Sequence, residues 1–495
     1  MESFSCSYKS RILLTVGEKM KKKAAIITCF FFLFSIANAG FTNPLGENTK
    51  VVINGNTLYV GGSGPNNYTS IQDAINDASD GDTIFVYNGT YRESILIDKS
   101  ITLLGEDRNA TIIDGEREDN VVNITAPSVI VSNFTITNSS SYYISAGIKI
   151  CNSNCVISNC NIFYNLDYGI WIISSSNNVV VNCNISYNKL EGGVLIEKSF
   201  NNRIVNCVFM SNGQGGITLL HSHNDAISNS IFLSNEACGV RISSSNNETV
   251  SNCKFIRDGL YVQGDNLSHF LHEIKNDTVD GLPLLYYKNV RNVTIDGMHA
   301  GEIILVNCTK SKIQNIDLNN KKVGIEIAFC KENEIYNCNM ENVGKTLIMF
   351  YSSHNDIHGC TLKNCEDGFV LFFSSQNTIH NCNILESRGG IMLWQSSLNR
   401  IKLCNIVGTT NSMSLFGYLT FGNLITNNNF IDNRWDPVFT NSVHNLWFHN
   451  YWDDWHKIVP KPIFGINLIF LTIQIPWIQF DWHPAKEPIR MVEVK

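Results

Sequence analysis

The chain has 495 residues, a formal net charge of −7 and no basic cluster of the kind that binds nucleic acid, which excludes nucleic acid as its partner. No glycine-rich phosphate loop or nucleotide fingerprint follows any candidate strand, which excludes nucleotide chemistry of that kind. Sixteen cysteines, an even number, raise the question of disulfides wherever a chain is exported.

Export is what the N-terminus predicts. Lys21, Lys22 and Lys23 precede an apolar run from Ala24 to Ile36, and Ala37-Asn38-Ala39 supplies an A-x-A cleavage site. Residues 1–39 therefore read as a secretory signal peptide, with Met20 as its start and the residues before it as an upstream mis-start. The mature chain then carries no transmembrane segment and works outside the cytoplasm, at the cell surface or secreted. N-x-[ST] sequons at Asn67, Asn88, Asn109, Asn133, Asn184 and Asn292 permit glycosylation there.

Residues 40–68 form a lead-in with a short strand, Thr57 to Val60. Thr69 and Gln72 have capping-box spacing, and Ile71, Ala74, Ile75 and Ala78 share one helical face. An amphipathic helix here would cover the open end of a solenoid. Asp80-Gly81-Asp82-Thr83-Ile84-Phe85-Val86 leads on into the first coil.

Most of the remaining chain is a repeat. The phrase N-x-[IV]-x-x-C-x-apolar centres on Cys160, Cys183, Cys207 and Cys253, then on Cys338, Cys360, Cys382 and Cys404, the last four at 22-residue steps. A second strand begins at glycine each time, as in Gly169-Ile170-Trp171-Ile172, Gly193-Val194-Leu195-Ile196 and Gly390-Ile391-Met392-Leu393. Period-two apolar runs between Ser/Asn/Gly turns are half-buried strands, and the period leaves no room for helices. The fold predicted over residues 69–435 is all-β, a right-handed parallel β-helix of about 15 coils, roughly 70 Å long at the strand spacing. Asn178, Asn202, Asn224, Asn247, Asn333, Asn355, Asn377 and Asn399 each precede the first strand of a coil and predict an asparagine turn ladder.

The eight cysteines in register alternate with Ile and Val, so they predict a packing ladder. Parallel side-chain vectors suit a disulfide poorly, and Cys151 with Cys155, or Cys360 with Cys365, leave the register and are the better disulfide pairs. A thiol column would also suit a soft metal such as Cu(I). The repeat is interrupted at about 266–289, predicted to be a loop or strand pair leaning on the solenoid's side. Residues 436–495 lose the coil register, are rich in aromatics and proline, and predict a C-terminal cap. The apolar stretch Ile466 to Ile475 is too short for a transmembrane helix.

With these pieces assembled, the chain resembles a known group. Ser70-Ile71-Gln72-Asp73-Ala74-Ile75 through Gly81 to Tyr91 resembles the N-terminal cap and first coil of pectin-lyase-like β-helix proteins. The repeats resemble the parallel-β-helix (PbH1) repeats of the NosD-like family, which also carries the label of a carbohydrate-binding and sugar-hydrolase domain. Val279 to Tyr287 and Asn450-Tyr451-Trp452-Asp453-Asp454-Trp455 resemble archaeal secreted members. The resemblance implies a β-helix, glycan or cell-envelope polymer as partner, and, through NosD itself, a periplasmic part in maturing a copper enzyme. No metal motif carries over residue by residue.

Three sets of residues are candidate sites. Asp167 and Glu191 share a register two residues before Gly169 and Gly193, with Gln214 and Glu366 in the same place before Gly216 and Gly368. Stacked carboxylates there would hold Ca²⁺ or serve acid–base catalysis in a lateral groove. Trp447, Trp452 and Trp455, interleaved with acidic and histidine residues, suggest packing of the cap, with stacking on sugar rings as the alternative. His444, His449, Asp453, His456 and His483 could supply N and O ligands to a metal, although their spacing matches no motif. Polygalacturonase-like sequence (Asn-Thr-Asp, Asp-Asp, Gly-His-Gly, Arg-Ile-Lys in order) is absent. The expected function is an exported, surface-associated protein that binds carbohydrate or envelope polymer without turnover. Polysaccharide lyase or glycoside hydrolase activity, and a NosD-like accessory role toward a copper enzyme, are the alternatives.

Overall fold

The computed structural model describes residues 55–140, 144–457, 459–469 and 473–490; the signal-peptide assignment lies outside the described residues. Among the described residues the helix Ile71–Asp77 and the 3-10 turn Leu267–Phe270 interrupt a long succession of short strands. Each coil gives one strand to each of three parallel sheets, here called sheets 1, 2 and 3 in chain order. Val156–Ser158, Asn161–Phe163 and Tyr168–Ile173 make one such coil, and each pairs in parallel with its counterpart in the next, Val179–Val181, Asn184–Ser186 and Gly192–Glu197. The chain is a parallel β-helix of about 18 turns, more than the 15 anticipated. The extra coils lack the cysteine phrase: Thr102–Gly105 and Thr111–Asp114 belong to an early one. Val438–Thr440, Leu446–Phe448 and Tyr451–Trp452 belong to the last, so the register continues past Trp435 and through Trp452.

The N-terminal helix buries Ile71, Ala74 and Ile75 in the core. Its N-cap is Ser70 rather than Thr69: Ser70 accepts the N–H of Asp73, and Glu93 from the first coil accepts those of Ile71 and Gln72, both at 2.9 Å. A carboxylate brought by tertiary structure thus satisfies the first-turn N–H groups, and the Gln72 side chain bonds the Leu96 backbone instead of closing a capping box.

The stack is two solenoids, not one interrupted solenoid. One apolar core runs from Val60 to Val279 and a second from Ile295 to Ile463. Between them Thr278–Val279 turns back antiparallel onto Leu282–Lys288, which starts sheet 3 of the second solenoid by pairing with Glu302–Val306. Residues 266–289 are therefore the joint between solenoids, not a loop laid along one side. The open end of the first solenoid is covered by the flank of the second. Ile304, Val306, Ile348, Phe350 and Val370 face away from their own core and pack into the first one. Phe270 is buried between Phe329 and Phe350, at ring separations of 5.7 and 5.3 Å. Burying each such side chain contributes roughly 2–3 kcal/mol, so this seam is a true core interface.

Inside the turns, polar ladders replace the apolar core. In the second solenoid Asn333, Asn355, Asn377 and Asn399 stack so that each amide oxygen accepts both the backbone N–H and the side-chain NH₂ of the asparagine one coil earlier, at 2.9–3.2 Å. In the first solenoid the column runs Asn178, Asn202, Asp225, Glu248. Asn224 and Asn247, expected in it, sit one residue off with left-handed backbone (φ 59° and 54°) on the outside of the turn. They conform to the repeat by being turn residues, not ladder members.

The cysteines fill a similar inward slot. Cys183, Cys360 and Cys382 are buried, each Sγ pointing at the carbonyl oxygen two residues earlier, at 3.3–3.4 Å. Ser230, Asp277 and Asn428 occupy the same slot in other coils, accepting the N–H of Cys207, Cys253 and Cys404. All cysteines among the described residues are free thiols, including Cys151, Cys155, Cys360 and Cys365, so neither expected disulfide pair forms.

Candidate functional site

The predicted carboxylate column does not assemble into one site. Asp167 is buried and accepts the backbone N–H of Ser145 at 3.1 Å, while Glu191 accepts the Tyr168 hydroxyl at 3.5 Å. Both are committed to neighbouring coils of the first solenoid; Glu366 lies in the second. Trp447 and Trp452 are each only 1% exposed, so they are core and not ring-stacking platforms. Their indole N–H groups donate to Gln479 and Asp481. Trp455 is half-buried beside Lys457 and Lys461.

The histidines of the C-terminal region are similarly dispersed. His444 is a turn residue with left-handed backbone, and His456 is exposed. The backbone N–H of His449 donates to Asp481, Asp453 accepts the N–H of Asp432, and the His483 ring lies 5.0 Å from that of Phe448. Among the described residues no group of three or more His, Cys, Asp or Glu side chains is arranged to hold a metal ion. That applies to Ca²⁺ on the Asp167–Glu191 register and to copper on the cysteine columns alike. The best-formed imidazole pair, His358 and His380, stacks at 5.0 Å on the flank of the second solenoid. Each ring nitrogen already lies 3.1 Å from a carboxylate oxygen one coil back, His358 hydrogen-bonded to Glu334 and His380 facing Asp356.

The geometry that does converge lies at the joint. On the buried side, the last sheet-3 strand of the first solenoid, Leu260–Gln263, has no following strand to accept its N–H groups. Glu302 and Glu326 do so instead, from Leu260 at 3.1 Å and from Val262 at 3.3 Å. Both are fully buried; burial pushes Glu326 up to about 8 and Glu302 well above the carboxylate range. Burial also raises Asp258, the neighbouring end of an asparagine column, to about 7. Sequence alone hides these groups, because a glutamate outside the core of a β-helix strand reads as solvated and nothing local announces that another solenoid covers it.

On the open side of the same joint is a cleft of about 320 Å³, lined by Arg257 from the first solenoid and by Asn320, Lys321, Lys322, Asn342, Asn364 and Glu366 from the second. Asn320, Asn342 and Asn364 occupy equivalent turn positions with left-handed backbone (φ 57°, 56° and 52°). Along this column the amide NH₂ groups of Asn342 and Asn364 donate to the amide oxygen one coil earlier, at 3.1 and 2.5 Å. That uses one of two amide hydrogens per step, leaving a donor and a lone pair free at each level. Lys321 is held by Asp280 at 2.7 Å and Lys322 donates to the carbonyl of Glu236. Arg257 makes no ion pair among the described residues. Glu366 is the one carboxylate lining the cleft among the described residues. Adjacent Asp367 is 3.9 Å from Lys345 instead. Of the sequence candidates, Glu366 alone reaches this site. The asparagines were visible at 22-residue spacing, but Arg257 is brought there only by the joint.

Comparison with solved structures finds similar chains at low identity and low structural overlap. A pectin methylesterase, PemA from Erwinia chrysanthemi, is 13% identical over 46% of this chain and 90% of its own, with a TM-score of 0.33. The mannuronan C-5 epimerase AlgE6 A-module from Azotobacter vinelandii is 14% identical over 68% and 92%, TM-score 0.35. Pectate lyase Pel9A is 14% identical over 59% and 76%, TM-score 0.33. No curated protein matches the chain. One family model matches twice, over residues 75–268 and 271–457, and the gap between the two matches falls in the joint between solenoids. The chain thus belongs to the family described as periplasmic copper-binding protein (NosD).

Proposed function

We propose that this chain is an exported β-helix scaffold that binds a carbohydrate or cell-envelope polymer without turnover, in the cleft between its two solenoids. One observation carries the reading: the Asn320–Asn342–Asn364 column offers a free amide donor and acceptor at each coil, beside an uncommitted guanidinium. A hydroxyl-rich chain can satisfy such repeated donors and acceptors, and Arg257 can take a carboxylate in two parallel bonds. The volume is at the small end of ligand sites. Glycoside hydrolysis needs two carboxylates flanking the bond, about 5–10 Å apart, and Glu366 stands alone. The basic and apolar segments before Ala39 and the family's periplasmic description support an extracytoplasmic location.

The test is binding of the purified chain to a panel of acidic and neutral polysaccharides. Arg257→Ala and Asn342→Ala are each expected to weaken binding about tenfold, the loss of one charge-assisted or shared hydrogen bond. Unaltered binding in both variants removes the cleft from consideration. Release of reducing ends or unsaturated products, lost in Glu366→Ala, replaces the binding reading with the enzymatic one.

The second reading, an accessory factor for a copper enzyme, is favoured by the family description. The donors present do not fit copper held by this chain's described residues alone: the thiols in register are buried and point at carbonyls, and His358 and His380 are taken by carboxylates. Copper retained in stoichiometric amount after purification would favour this reading over the first.

A further inference from the structure

The second solenoid ends in an antiparallel hairpin, Lys461–Ile469 and Ile473–Asp481, and its two faces are unlike. The inner face carries Lys461, Ile463, Gln479 and Asp481, all buried. Lys461 is locked between Asp436 and Asp454 at 2.9 and 2.6 Å, and Asp481 ends the Asn428–Asn450 column. That face is the cap. Strand alternation and pairing put Pro462, Phe464, Ile466, Pro476, Ile478 and Phe480 together on the outer face, a ribbon of six apolar side chains. Phe464 is 63% exposed and Ile478 44%. No charged residue lies between Lys461 and Asp481. Terminal repeats of a solenoid keep the molecule soluble with a polar outer face, and this one is the reverse. An apolar face turned to solvent marks an interaction site.

We infer that this outer face seats the protein on a lipid bilayer interface. Area argues against a second copy: a nine-residue strand is roughly 30 Å long and two strands about 10 Å wide, giving roughly 300 Å². Stable protein pairs bury about 800 Å² on each side. A lipid surface needs no complementary patch and accepts a flat apolar ribbon about 5–10 Å deep, where headgroups and water still satisfy the strand edges. An exposed tryptophan extends the ribbon, Trp482 just beyond the second strand with its ring 5.4 Å from Phe480. Trp is the side chain enriched at such interfaces. Among the described residues no helix is long and apolar enough to cross a membrane.

Flotation of the purified chain with phosphatidylcholine vesicles, with and without phosphatidylglycerol, tests this alongside sedimentation equilibrium without lipid. The chain is expected to float with both vesicle types. Phe464→Glu with Ile478→Glu is expected to reduce the floated fraction at least about tenfold, with far-UV circular dichroism and denaturation midpoint unchanged; Phe464→Ser is a milder variant with the same direction. Failure to float overturns the inference, as does flotation that survives both variants. A lipid-free dimer that the same substitutions dissociate, in a chain that does not float, assigns the face to a second copy instead.

Discussion

The seam between solenoids makes a pH-dependent prediction. Glu326 is buried against Val262 of the first solenoid; burial raises it from 4.5 to about 8, opposed in part by the Val262 N–H and by Lys345. Glu302, Arg241, Tyr261 and Asp258 surround the same seam, and Lys345 stands over the Tyr261 ring at 5.0 Å. In the unfolded chain Glu326 ionises near 4.5; in the folded chain it keeps its proton to about 8. Between these values the folded state holds the extra proton, so its contribution to stability is complete below about 4.5 and is lost as pH rises through about 8. At about 1.36 kcal/mol per unit the loss is on the order of 5 kcal/mol, a ceiling set by how readily the seam opens locally. Glu326→Gln keeps an oxygen to accept the Val262 N–H and removes the titration. The difference in urea midpoint between Glu326→Gln and the wild type should therefore be small near pH 4 and grow in favour of the variant up to about pH 8. The other buried acids titrate in both proteins and largely cancel in the difference, with Glu302, which the Glu326 charge also raises, the one whose titration the substitution moves. Exchange of the Leu260 and Val262 amides, followed by mass spectrometry, should accelerate above about pH 8 in the wild type beyond the change seen in the variant. A midpoint difference that does not vary with pH refutes the buried-seam account of Glu326.

Three further outcomes come from the ladders. Asn377→Ala strips acceptors from the Asn355 N–H and NH₂ groups and a donor from the Ser352 carbonyl, so it should cost about 2–4 kcal/mol by denaturant unfolding, whereas Ser375→Ala, half-buried beside it, should cost under about 1. Cys382→Asn should be tolerated far better than Cys382→Asp, because Asn428 already fills the equivalent slot while a carboxylate in mid-column has no counter-charge; equal destabilisation of the two would mean that the column is not the closed interior described. In native protein, a thiol reagent should modify Cys151 first among the described cysteines and leave those in register unmodified until unfolding, as read by mass spectrometry.

The fold was legible because it repeats. The cysteine phrase at 22-residue steps and the glycine-led strands are local patterns, and local patterns are what a sequence displays. Coils without that phrase, such as the one holding Thr102–Gly105, show only apolar alternation, hence the short coil count. The joint was half legible. Residues 266–289 visibly break the period, but that they turn one solenoid against the flank of another depends on Phe270, Phe329 and Phe350 meeting across distant sequence. The candidate sites were obscured for the same reason. Trp447 and Trp452 read as packing residues of a separate cap if the register stops at Trp435; it runs on, and they pack inside its last coil. Arg257 could not be nominated because its partners come from the other solenoid.

The direction of the ladders explains where each solenoid ends. In the buried asparagine columns each amide oxygen accepts from the coil before and each NH₂ donates to the coil after, whereas the exposed Asn320–Asn342–Asn364 column runs the other way. The last member has no later coil to donate to: a carboxylate there accepts and has nothing left to donate, while Asn445, which ends the Asn399–Asn423 column as an amide, turns its NH₂ onto Ser442 and Thr420 instead. The column Asn165, Asn188, Asn212, Asn235 ends in Asp258, and the column Asn428, Asn450 ends in Asp481. Asp277 closes the cysteine slot of the first solenoid in the same manner. Terminators thus occur at both C-terminal ends, near residue 270 as well as near residue 481. The first solenoid is chemically finished at the joint, as a free-standing solenoid would be, and its buried carboxylates are the ends of columns before they are parts of a seam. A polar, acid-terminated end pressed onto an apolar flank is a costly surface to bury. It is kept at the one place where two coil stacks meet at a cleft, and that is where a function separate from folding has room to reside.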